Sequence, residues 1–205
     1  MLLVIALLAS AAGAWAQGTA EAIPDYTASV VGPVNSTAGW TFEATANLTA
    51  TELGCFTNVF AKNTDVTTVQ VGLWAPDGSL LASSTVTPAS TLVNESLYEA
   101  IPPVVLSPGL VYHIGVFFPP DGNLSLDAAL SGSYSNSPDI SVRGTALAGP
   151  GAGFVSPVEM TPLDGAIYAG PNFQFQEGGV PEPASGLLLG FGALLLIVRR
   201  VTRRP

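Results

Sequence analysis

Cys55 is the only cysteine and His113 the only histidine in the 205 residues, which limits the available chemistry at once. A single cysteine permits no intramolecular disulfide. Within Leu53-Gly54-Cys55-Phe56 it reads as a small buried strand residue rather than a nucleophile. His113 falls between Tyr112 and Ile114, an alternation that turns it away from the face those two share. One histidine cannot build a His-rich metal site, and no serine occupies a Gly-x-Ser-x-Gly setting. No catalytic residue, cofactor site or metal site is assigned, and a non-enzymatic protein is expected.

Two weaker constellations remain. Asp121, Asn123, Ser125 and Asp127 place oxygen side chains at every second position, a spacing that can wrap a calcium ion. The sixth position is not glycine and the twelfth is Gly132 rather than glutamate, so a plain polar loop is the better reading. Trp74 and Phe117 share a strand face with Gly72 and Gly115. Exposed, they would form a platform for sugar rings; equally, they would cover glycine holes in adjacent strands or pack beneath a loop.

The elements that carry these residues read as strands. Trp40, Phe42 and Ala44 alternate with Thr41, Glu43 and Thr45, and Val69, Val71 and Leu73 with Thr68, Gln70 and Gly72. Pro76-Asp77-Gly78 is a turn, with residues 79–86 as the returning hairpin strand. Tyr112, Ile114, Val116 and Phe118 form a further inward face, and residues 172–176 close the body. The Gly/Ala/Pro-rich run 146–153 is expected to be a long loop. Turn residues recur every 8 to 12 positions and no helical periodicity persists, which predicts an all-β, antiparallel β-sandwich.

Charge is distributed unevenly. All fifteen acidic residues lie between Glu21 and Glu182, with only Lys62 and Arg143 as basic company, a formal balance of −13 over that stretch. Such a body repels phosphate backbones and excludes nucleic acid as a partner. The other four basic residues, Arg199, Arg200, Arg203 and Arg204, close the chain.

The two ends are apolar. Residues 1–16 read as a signal peptide: residues 2–8 form its apolar core, and Ala14-Trp15-Ala16 matches a small-x-small cleavage site. Residues 184–198 hold no charge, and as a transmembrane helix they span about 22 Å, to be completed by snorkelling arginines and the preceding segment. Arginines on one side only act as a membrane stop and keep the tail cytoplasmic, with the body outside.

Pro181-Glu182-Pro183, the Gly-rich apolar run from Gly186, and the arginine cluster from Arg199 together resemble the PEP-CTERM sorting signal of Gram-negative bacteria. The resemblance covers about the last 26 residues. It implies an exosortase-like processing enzyme that cleaves near the tripeptide, so that the helix is a temporary anchor; a permanent single-pass anchor is the rival. Separately, Gly39-Trp40-Thr41-Phe42, Val71-Gly72-Leu73-Trp74 and Tyr112-His113-Ile114-Gly115 resemble a domain recurrent in exported bacterial proteins. That resemblance implies a jelly-roll-like sandwich and carries almost nothing about activity.

The organisation expected is therefore a signal peptide at 1–16, a linker at 17–25, and a β-sandwich domain at 26–176. A linker with the Pro-Glu-Pro motif follows at 177–183, then a transmembrane helix at 184–198 and a basic tail at 199–205. The expected function is an exported surface or extracellular-matrix protein, with a carbohydrate-binding module for exopolysaccharide on a permanent anchor as the alternative. Its partners would be the export translocon, signal peptidase and the exosortase-like enzyme, with exopolysaccharide in the alternative reading. Its precursor would sit in the inner membrane before reaching the cell surface or the exterior.

Overall fold

Among the described residues, short alternating segments separated by turn residues become fifteen strands and one helical turn. In chain order they are β1 (Ala20–Glu21), β2 (Asp25–Tyr26), β3 (Val30–Val34), β4 (Thr37–Ala44) and β5 (Leu48–Phe56). The turn α1 (Asn58–Lys62) follows, then β6 (Val69–Trp74), β7 (Leu80–Val86), β8 (Thr91–Val93), β9 (Ser96–Leu106) and β10 (Val111–Phe117). The last five are β11 (Leu124–Ala129), β12 (Tyr134–Ser135), β13 (Ile140–Leu147), β14 (Ile167–Ala169) and β15 (Pro171–Glu177). The computed structural model describes residues 19–27, 30–34, 36–118, 124–129, 132–149, 151–158 and 166–178. The expected cleavage site at Ala14 and Ala16, the Pro181-Glu182-Pro183 motif, the apolar run 184–198 and the terminal arginines lie outside the described residues. Among the described residues no helix is long and apolar enough to cross a membrane.

Two five-stranded antiparallel sheets form the body, in the orders β1-β15-β5-β9-β8 and β13-β4-β10-β6-β7. Three strands, β14-β11-β3, make a third sheet, and β12-β2 a small ribbon. The two large sheets pack through aromatic rings on their facing sides. Trp40 and Phe42 from β4 meet Phe173 from β15 at ring-centroid distances of 6.1 and 4.9 Å, and Phe42 stacks on Tyr112 at 5.7 Å. Such rings supply most of the area that a sandwich core removes from water. Val71, Leu73, Ile114 and Val116 fill the same layer with no exposure, as their alternation predicts.

Four details differ from the sequence reading, the first being Glu177, expected in a linker, which ends β15 opposite Leu48. Residues 20–23, expected within a linker, are part of the body: Ala20 pairs with Phe175 and Glu21 with Gln174, and Ala22 and Ile23 are fully buried. The cause is Asn172, whose buried amide accepts from the Ile23 nitrogen at 3.2 Å and donates to the Ile23 oxygen at 2.8 Å. Ala146 and Leu147, expected in a loop, complete β13 opposite Gly39 and Ala38. Thr41, expected on an outward face, is wholly buried. β4 is covered on both sides, and the cover on its outer side builds the feature described next.

Candidate functional site

Glycines align across the outer face of the second large sheet. Gly39 of β4 stands opposite Gly115 of β10, which stands opposite Gly72 of β6. The row continues to Ala146 of β13 on one side and Ser83 of β7 on the other. Five adjacent strands thus present small residues in one line, and the line is a trough. A methyl group on Gly39 would lie 2.8 Å from the Gly115 Cα, and one on Gly115 would lie 2.6 Å from Thr37 Cγ2. Close approach of backbone and cover is what selects glycine here.

The segment 151–158 fills the trough. Phe154 packs against Trp74 at 5.2 Å and meets Phe117 edge-on at 6.2 Å, and its ring tip would sit 2.7 Å from a methyl group on Gly72. Pro157 lies over Gly115. Thr37 fastens the segment: its hydroxyl donates to the Gly153 oxygen at 2.8 Å and accepts from the Val155 nitrogen at 3.3 Å. Gly151 and Gly153 both carry φ of +74°, which lets the chain fold back over the sheet without strain.

This arrangement corrects the sugar-platform idea at Trp74. Trp74 is only 2% exposed, because its ring lies over Gly72 and beneath Phe154. Its flat face is occupied by the protein's own phenylalanine and is not offered to a sugar. At Trp74 the ring packs beneath a loop, and the glycine it covers belongs to its own strand rather than to a neighbouring one.

His113 sits on this outer face, between Thr41 and Trp74 in register, half-buried and with a buried Nδ1 that has no hydrogen-bond partner. Loss of hydration lowers its pKa below the usual 6.5. The folded state therefore prefers neutral imidazole, and the stability it carries is complete above about pH 6.5 and is lost as pH falls below that value. Lowering pH from 7.5 to 5 is expected to reduce the unfolding midpoint less in His113→Gln than in the wild type. Equal acid sensitivity of the two proteins in thermal melts would contradict this.

Cys55 lies on β5 with no exposure, facing the core, and burial pushes its thiol far above the ordinary range. It stays protonated and inert. It belongs to the opposite sheet from His113, and the second sheet stands between them, so the two cannot form a nucleophile–base pair.

Of the alternate oxygens, Asp121 and Asn123 lie outside the described residues, as does the Ser125 side chain. Asp127 is described, and it is already engaged. It is 1% exposed, forms an ion pair with Lys62, and its second oxygen accepts from Asn58 Nδ2 at 2.6 Å. The pair ties α1 to β11 and leaves this carboxylate turned inward rather than toward a calcium ion. Its charge, with burial as the larger cause, helps hold the Tyr26 hydroxyl well above its usual range. Among the described residues no three of His, Cys, Asp or Glu gather as a metal cluster.

Sequence reasoning missed the Lys62–Asp127 pair and the trough-filling segment. The row Gly39, Gly72 and Gly115 was the available signal, since each glycine interrupts an otherwise good strand. No family model matches this chain, and neither any curated protein nor any solved structure matches it.

Proposed function

We propose that this is an exported, non-enzymatic protein of the cell surface or extracellular matrix, sorted through a PEP-CTERM-like C-terminal signal. One observation carries the reading: the order of an apolar start, an acidic body, Pro181-Glu182-Pro183, an uncharged run and four terminal arginines. The charge asymmetry orients such a chain with its body outside the cytoplasm. The antiparallel body is compatible with this. Successive strands pass repeatedly between the two large sheets, from β4 to β5, β5 to β6, β7 to β8 and β9 to β10. Crossings of that kind support a jelly-roll-like topology.

The body is stapled by packing rather than by disulfides, with aromatic pairs inside and a glycine trough filled outside. A rigid sandwich of this kind suits a structural or interaction role. Catalytic groups would need neighbours that Cys55 and His113 lack among the described residues. Mass spectrometry of the mature protein tests the sorting reading directly. The expected product begins at Gln17 and ends near residues 181–183. A secreted form that retained residues 194–204 would overturn it.

A further inference from the structure

We propose that one pole of the sandwich is a membrane-contact surface that fits a bilayer of zwitterionic phospholipid. The inference rests on the anchor reading above and deepens it. β4, β6, β9 and β15 all run toward the same pole, where Ala44 stands opposite Ile140, and Leu48 opposite both Leu106 and Glu177. The Gly109 nitrogen donates to the Ala44 oxygen at 2.9 Å and the Gly178 nitrogen to the Asn47 oxygen at 2.6 Å, which closes the two sheets together there. β1 is antiparallel to β15, so the chain also enters the body from this pole.

The tether is short. Only five residues, 179–183, separate Gly178 from the uncharged run, and fully extended they reach at most about 17 Å. With that run in the bilayer, this pole is the part of the body held within tether reach of the headgroups. Three exposed aliphatic side chains stand at this pole, Val105 at 69%, Leu80 at 49% and Leu110 at 45%, against Leu92 near the opposite one. The three come from β9, β7 and the turn before β10, so they surround the pole across both sheets. Apolar side chains of this sort enter the interfacial layer, where water is already partly excluded.

The charges at this pole choose the lipid. Asp77, Asp139 and Glu177 are acidic, and Arg143 is paired with Glu43. An anionic surface would repel this set, whereas ammonium-bearing, net-neutral headgroups are accepted by it.

The test uses the full chain reconstituted in phosphatidylethanolamine/phosphatidylcholine vesicles that contain spin-labelled lipid. A fluorophore is placed at Leu110→Cys, at Val105→Cys, or at Leu92→Cys, which is 60% exposed near the opposite pole. Cys55 is fully buried and escapes labelling in the folded protein. Quenching at positions 110 and 105 is expected to exceed that at 92 by about threefold or more, as interfacial depth requires. Vesicle-bound chain with equal quenching at both poles, or with none at 110 and 105, would overturn the contact surface while leaving the anchor standing. A chain that fails to float with the vesicles would overturn the anchor reading and this inference with it.

Discussion

Trp40→Ala is expected to lower the stability of the body by about 3–5 kcal/mol, the usual cost of truncating a large buried aromatic. Trp40 has no exposure, and its ring contacts Phe42 at 5.3 Å within its own strand and Phe173 at 6.1 Å across the sandwich. Its Nε1 also donates to the Pro171 oxygen at 3.0 Å, a bond between the two sheets. Alanine removes the ring, leaves a void between layers that cannot close, and strands a buried carbonyl, which adds about 1–3 kcal/mol of its own. Against a total of about 5–15 kcal/mol for a domain, that loss is large. Urea unfolding should show a lower midpoint with little change in slope. Trp40→Phe, which keeps part of the ring packing but loses the rest of the ring and the bond, should recover only part of the loss. A Trp40→Ala unfolding free energy within about 1 kcal/mol of wild type would mean that the sheets do not meet through this ring.

The inner faces were legible because they obey a local rule. Trp40, Phe42 and Ala44, like Tyr112, Ile114 and Val116, are apolar at every second residue, and period two is decided by pleat geometry alone. The β6–β7 hairpin was equally plain from Pro76-Asp77-Gly78. What escaped is non-local. Phe154 finds Gly72 from more than eighty residues away, and nothing in its Gly/Ala/Pro-rich surroundings has a period to read. Asp127 looked like a member of an oxygen ladder because spacing reveals alternation but not the lysine that answers it from α1. Ala22 and Ile23 looked like a linker because two-residue strands hold through backbone bonds and the Asn172 amide, neither of which marks the sequence.

The glycine row separates a positional requirement from mere tolerance of glycine, and it gives the second large effect. Gly39→Ala is expected to destabilise by about 3 kcal/mol or more, because the added methyl meets backbone rather than a yielding side chain. The obstacles are the Ile114 carbonyl group and the Gly115 Cα, both fixed by the β4–β10 ladder. Relief requires those two strands to part, and parting them disturbs Thr37, which holds the covering segment through Gly153 and Val155. Gly149→Ala provides the contrast: nothing lies within 4 Å of its added methyl. There the loss of unfolded-state freedom should make alanine neutral or stabilising by up to about 1 kcal/mol. Measured side by side by urea unfolding, the two substitutions should therefore differ in sign or by several kcal/mol. Equal effects would mean that β4 and β10 do not lie in this register, and the trough that depends on it would have no floor.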